Sequence, residues 1–369
     1  MNIKSLLLGS AAALAAVTGA HAADAIVAAE PEPLEYVRIC DAYGAGYFYI
    51  PGTETCLKIG GKVRTEIQWG DAYGKNGGAG NWQTGTLFHT RFELSLDTAT
   101  DTEYGALKTN AVIRQDWQEG GDTATKLLWA NISLGGFLIG KQDSQYSLYG
   151  GYAGDVINDD VIYYGPKELN QVTYLYDAGN GFTAVASLED TNSADNKSTY
   201  GTPAAWQKDE QNHYAPNGVL GLGYKGSNWG IKVIGGYDSI VEEGAIKARL
   251  DADFGAFSAF LMGGWNTDGN KLNQYAGSNL DTSACPKNDG AACGWGDWAV
   301  WGGVAVPFSS SLKWNLQLAY TDSKIFAATT NVKWNPVKNL VIEPEVSYTN
   351  WDSINQDEWE GILRVERKF

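Results

Sequence analysis

Along most of the chain apolar and polar residues alternate with a period of two, the side-chain period of a β-strand. In the last stretch Trp359, Gly361, Leu363, Val365 and Phe369 share one face, with Arg367 breaking the pattern. Glu360, Ile362, Arg364, Glu366 and Lys368 share the other. Leu57–Trp69 repeats this: Leu57, Ile59, Val63, Ile67 and Trp69 oppose Lys58, Lys62, Arg64, Glu66 and Gln68. An edge strand leaves backbone groups unpaired, and closing the sheet pairs them. Pairing of these two segments predicts an all-β antiparallel barrel, apolar outside and charged inside.

Sixteen such runs follow one another from Leu57 to Phe369. Phe88–Asp97, Gly105–Trp117 and Ala245–Phe254 are clear examples, whereas Phe137–Gln142 and Gln171–Tyr176 are short for a membrane span of about 9–11 residues. The connections alternate as well. Short ones include Gly135-Gly136, Gly226-Ser227-Asn228 and Pro307–Ser311. The long ones, Gly70–Leu87, Asp143–Asn170, Asp190–Gly218 and Asn266–Gly296, all fall on one side. That asymmetry is the habit of outer-membrane barrels, and a soluble β-sandwich has no need of it. Trp69, Trp117, Trp229, Trp265, Trp298, Trp314, Trp334, Tyr348 and Trp359 stand near strand ends, as interfacial aromatic girdles do.

The start of the chain reads as an export signal. Lys4 precedes an apolar run, Leu6–Val17, and the small-residue site Ala20-His21-Ala22, which predicts a cleaved signal peptide over residues 1–22. Residues 23–56 read as a periplasmic segment and 57–369 as the barrel. Within the former, Cys40 and Cys56 bracket a Gly-rich aromatic loop, and export favours a Cys40–Cys56 disulfide. A metal site is the weaker reading, since no histidine lies near. Cys285 and Cys293 share one long loop and fit a second, local disulfide.

Composition narrows the partners. The net charge is −16, which argues against nucleic acid. The face opposite the apolar one carries Lys58, Lys62, Arg64, Arg91, Lys108, Arg114, Lys247, Arg249 and Arg364, with Glu66, Glu93, Asp116, Asp251, Asp253, Glu343, Glu345 and Glu360. A sixteen-strand barrel is wide enough for an aqueous channel, so water is expected to line these charges and dry pairing is not required. Trp129, Phe260 and Trp301 are aromatic exceptions on this wall. The Asp143–Asn170 connection exceeds what a hairpin needs. It carries Asp155, Asp159, Asp160 and Glu168 against Lys167. Folded inward, it would set carboxylates opposite the basic wall, and the transverse field would favour polar solutes.

Catalytic chemistry has little support. His21 leaves with the signal, His213 lies in a long loop, and His89 is expected as a solvated wall residue. Gly74–Gly80 is Gly-rich but lacks a phosphate-loop pattern.

The stretch ICDAYGAGYFYIPGTETCLKIGG around Cys40–Gly61, the signal peptide and the terminal Phe369 resemble the alphaproteobacterial outer-membrane porins of the rhizobial and brucella kind, over essentially the whole chain. The resemblance implies a sixteen-stranded homotrimer in outer-membrane lipid whose third external loop folds into the pore. It also implies that Phe369 belongs to the signal read by the barrel-assembly machinery. The expected function is passive diffusion of small hydrophilic solutes and ions, without cofactor or turnover; the alternative is a substrate-specific channel, for a sugar for example. Mild cation preference is the most the opposed charges predict.

Overall fold

The structure, a computed structural model, describes residues 38–71, 84–191, 214–278 and 290–369. The signal-peptide expectation, the tail before residue 38, Cys285 and His213 lie outside the described residues. Residues 39–369 form one unit.

Its described residues form a single antiparallel sheet of eighteen strands, two of which are two-residue ribbons, Phe48–Tyr49 and Gly121–Asp122. The sixteen full strands are β1 Cys56–Gly70, β2 Gly85–Thr102, β3 Gly105–Gln118, β4 Lys126–Leu134, β5 Phe137–Asp143, β6 Glu168–Asp177, β7 Phe182–Glu189 and β8 Asn217–Lys225. They continue with β9 Trp229–Asp238, β10 Glu243–Asp253, β11 Ser258–Asn266, β12 Trp298–Ser309, β13 Leu312–Thr321, β14 Ile325–Trp334, β15 Leu340–Trp351 and β16 Gln356–Lys368. Each strand pairs with the next, and β16 pairs with β1 in the register Leu363↔Ile67 and Arg364↔Glu66. Phe369 extends that seam by exchanging backbone hydrogen bonds with Gly61 at 3.0 and 3.1 Å. Among the described residues each of the sixteen full strands therefore finds backbone partners on both sides, the condition a strand must meet in lipid.

Side-chain exposure is inverted relative to a water-soluble protein. On β1 the apolar residues are the exposed ones, Ile59 at 51% and Trp69 at 49%, while Glu66 on the opposite face is 3% exposed. Trp69, Trp117, Trp229, Trp265, Trp298, Trp334 and Trp359 are all exposed on the apolar face. An apolar exterior of this extent requires a hydrocarbon surround. Among the described residues no helix is long and apolar enough to cross a membrane; the strands do so.

Two strands are longer than their alternation suggests. β2 runs to Thr102 and turns at Glu103-Tyr104, beyond the expected strand end at Asp97. β6 begins at Glu168, which pairs with Asp143. Glu168 is therefore a strand residue and not part of the connection. At the start of the unit, Phe48–Tyr49 pairs with Cys56–Leu57, and a disulfide joins Cys40 to Cys56. Cys293 lies in the short helix Gly290–Cys293, and no described cysteine is free.

Candidate functional site

The charged face of the barrel carries two distinct assemblies. The first spans β16, β1, β2 and β3. Register sets it: Arg64 lies across from Glu366 and Arg91, Lys62 from Glu93, and Glu93 from Arg114. Lys62 Nζ lies 3.0 Å from Glu93 and 3.7 Å from Glu366. Arg64 reaches Glu366 at 2.8 Å and Arg114 reaches Glu93 at 2.7 Å. Arg91 pairs with Asp116 at 2.6 Å, and Arg364 with Glu66 at 2.5 Å. His89 is buried between Glu66 and Asp116, its Nδ1 and Nε2 at 2.9 and 2.7 Å from their oxygens. It is not the solvated residue expected, because β2 places it between two carboxylates of neighbouring strands. No hydroxyl or thiol joins its ring among the described hydrogen bonds.

Thus five of the expected wall cations, Lys62, Arg64, Arg91, Arg114 and Arg364, pair with carboxylates of the same wall. Water was expected to line these charges without need of dry pairing; instead they pair, because Lys62, Glu93 and Arg114 stand level on three adjacent strands, and Arg64 and Arg91, level with each other, each find a carboxylate on the far side, Glu366 and Asp116. Lys58 lies elsewhere, with its Nζ 5.8 Å from the Tyr47 ring centroid, and Lys108 is exposed near the turn end of β3.

The second assembly is the connection 144–167 and the strands it touches. Its root is pinned to β7. Ser144 caps the short helix α1 (Gln145–Leu148), accepting the Tyr146 N–H at 3.1 Å. The Ser144 hydroxyl and the Gln145 N–H both donate to Glu189, at 2.7 and 2.9 Å. Gly165 permits the return, with φ of +140° and a position where a Cβ would sit 2.6 Å from Ser147 Oγ.

Beyond the root, the segment bonds to the charged face of six strands. The Arg249 guanidinium on β10 donates to the Tyr152 carbonyl and also pairs with Asp251 at 2.6 Å. On the same strand the fully buried Lys247 donates to the Tyr164 carbonyl at 2.8 Å, beneath the rings of Tyr146 and Tyr164. On β12 the fully buried Trp301 donates to the Ile162 carbonyl at 3.2 Å. Gln317 on β13 donates to the Asp159 carbonyl at 2.9 Å, and Asn331 on β14 to the Asp155 carbonyl at 3.1 Å. Glu345 on β15 accepts the Ile157 and Asn158 N–H groups at 2.5 and 2.8 Å. The Asn158 amide also donates to Ser347 at 2.9 Å and to Glu360 on β16 at 2.6 Å.

The segment's carboxylates have their own partners. Asp155 pairs with Lys313 and Lys333. Burial opposes its ionisation, but the two ammonium groups outweigh this and hold the carboxyl below its usual range. Asp160 pairs with Lys167, and Asp159 accepts the Tyr164 hydroxyl at 2.9 Å. Burial first, and the Asp160 charge second, push the Asp159 carboxyl up to about 7. Of the expected wall cations, then, Lys247 and Arg249 touch the segment among the described contacts. Lys313 and Lys333, which do pair with it, were passed over. The signal was present: each alternates with a tryptophan, Trp314 and Trp334. Of the aromatic exceptions, Trp301 packs under the segment against Trp295, and Trp129 donates to Asp143 at 3.3 Å.

Comparison with known proteins follows the same line. A family profile described as a porin subfamily matches residues 24–366. Porin Omp2b of Brucella suis biovar 1 is 41% identical over 387 residues, covering 100% of both chains, and the same protein of Brucella abortus is equally similar. Among solved structures, the outer-membrane channel DcaP of Acinetobacter baumannii aligns with a TM-score of 0.65 at 16% identity, over 87% of this chain and 99% of its own. An anion-selective porin from Comamonas acidovorans aligns with a TM-score of 0.55 at 13% identity, over 86% and 100%. At these identities the two structures speak to the fold alone.

Proposed function

Because the chain belongs to the porin family matched by that profile, we propose that it forms a general-diffusion channel through which small hydrophilic solutes and ions cross the outer membrane passively. The observation that carries this is a closed sixteen-strand barrel whose apolar face is exposed and whose charged face is turned inward. Such a barrel leaves an aqueous interior. Geometry and charge then do all the work, and no covalent step or cofactor is involved.

The finer reading concerns residues 144–167. We take this third connection to fold into the interior and narrow it. Support comes from its hydrogen bonds to inward-turned residues of β10, β13, β14 and β15, far around the sheet from its roots on β5 and β6. On this reading one flank of the constriction carries Asp155, Asp159 and Asp160. The facing wall carries the paired array of Lys62, Arg64, Arg91, Arg114 and Arg364. Because most charges are paired, ion selectivity is mild. The assembled form is taken to be a homotrimer, with Phe369 read by the barrel-assembly machinery and residues 38–56 on the periplasmic side.

Liposome swelling with neutral sugars of rising size tests the proposal. Entry rates that fall smoothly with size, without saturation, support it. Entry of one sugar alone, with saturation, would replace general diffusion by a specific channel.

A further inference from the structure

A cavity of about 850 Å³ lies between the segment 144–167 and the charged face of β7 to β13. Tyr149, Gly154 and Asp155 bound it on the segment side, and the short connections at Gly181 and at Gly226–Asn228 stand toward its other end. Four cations line it, Lys225, Lys232, Arg249 and Lys313, against Asp155, Asp251 and Asp253. Lys333, outside the lining, shares Asp155 with Lys313. The local balance is therefore positive in a chain whose net charge is −16.

These cations are not equivalent. Arg249 is occupied by Asp251 and the Tyr152 carbonyl, and Lys313 by Asp155. Lys232 makes no ion pair among the described residues; its Nζ lies 5.3 Å from the Tyr149 ring centroid. The pairs Gly223↔Lys232 and Lys225↔Gly230 put Lys225 diagonally across from Lys232 on the same face, about 7–8 Å away by cross-strand geometry. The floor is apolar. The Phe260 ring lies 4.2 Å from the Arg249 guanidinium carbon, against Gly303, where a Cβ would come within 2.3 Å of it.

We infer that this cavity is a transient binding station for small organic oxyanions, the phosphate or carboxylate group held at Lys232 beside Lys225 and the solute body resting on Phe260 and Tyr149. A local excess of ammonium groups against a low-dielectric wall concentrates anions that the net charge would otherwise repel. The station rests on the channel reading, since a solute reaches it only through an open barrel.

Single-channel recording tests it, with glucose 6-phosphate as probe and glucose as the neutral control. Glucose 6-phosphate should interrupt the current at about tenfold lower concentration than glucose, a difference of about 1.4 kcal/mol. Lys232→Met should remove that advantage and Lys232→Arg should keep it, with folding of both checked by heat-modifiable gel mobility. Equal effects of the two sugars on the unaltered protein would overturn the station, as would full phosphate sensitivity in Lys232→Met. Absence of any current from folded, inserted protein is a separate result, and would overturn the channel reading on which the station rests.

Discussion

Replacing Glu345 with glutamine should loosen the segment 144–167 without disturbing the barrel. Glu345 is 3% exposed and accepts three donors: the Ile157 and Asn158 N–H groups at 2.5 and 2.8 Å and the Asn331 amide at 3.0 Å. Each hydrogen bond to a charged acceptor contributes about 1.5–3 kcal/mol net. Glutamine keeps one carbonyl oxygen, which can serve Ile157 and Asn331, and turns its NH₂ toward the Asn158 N–H, so one hydrogen bond is lost and two become neutral. Water in the channel recovers part of this. The net change is about 2 kcal/mol, roughly 30-fold in favour of the released segment. Open-channel current noise should rise, and liposomes should admit larger neutral sugars. Glu345→Ala should do both more strongly. Noise and exclusion indistinguishable from the parent, in a variant of native gel mobility, would refute the anchoring role.

Other consequences follow from the same contacts. With its carboxyl raised to about 7 by burial and by Asp160, Asp159 gains its charge as pH climbs through that value. Cation preference, read as reversal potential in a KCl gradient, should therefore increase between pH 6 and 8; a change confined to pH below 5 would show an ordinary, solvated carboxylate. The same shift means the native state holds this proton more tightly than the unfolded chain. Its ionisation penalty is absent below the unfolded value of about 4, grows as pH rises from there to about 7, and is constant above that. Ile67→Arg, on the exposed apolar face of β1, should destabilise the membrane-folded barrel by about 2–4 kcal/mol if it sits near the bilayer midplane, measured by urea titration in vesicles. Gln68→Arg, one residue along on the charged face, should cost far less, and equal costs would contradict the assignment of faces. Trp301→Ala removes a fully buried ring stacked edge-on with Trp295 and should cost about 3–5 kcal/mol. A marked drop in the gel-shift melting temperature checks this, and no drop would mean the ring is not packed as described.

The sixteen strands and the closure of β16 on β1 were legible because lipid on one side and charge on the other force strict alternation. The signal faded where one of those constraints is absent. Residues 98–102 of β2 alternate Thr, Ala, Thr, Asp and Thr, polar or small on both faces, so only the backbone ladder marks them as strand. In Glu168-Leu169-Asn170 of β6 the pattern is reversed, since the one apolar residue, Leu169, is the buried one, between polar Glu168 and Asn170. Alternation also assigns a face without giving the register. The pairing of Arg114 with Glu93, or of Arg364 with Glu66, depends on which residues of neighbouring strands stand level. That is why these pairs could not be read from the sequence, where the charges were expected only to be lined by water. The contacts of residues 144–167 are longer-range still. Nothing local in Ile157-Asn158 indicates a carboxylate far along the chain, at Glu345. Lys313 and Lys333 were within reach, since both follow the period of two on strands already identified.

The most direct test of the central claim is single-channel conductance of the purified protein in a planar bilayer. Ohmic current steps are predicted, arriving in groups of three if the assembled form is a trimer. Correctly folded, membrane-inserted protein that conducts nothing would contradict an open aqueous interior, and with it the reading of this barrel as a diffusion channel.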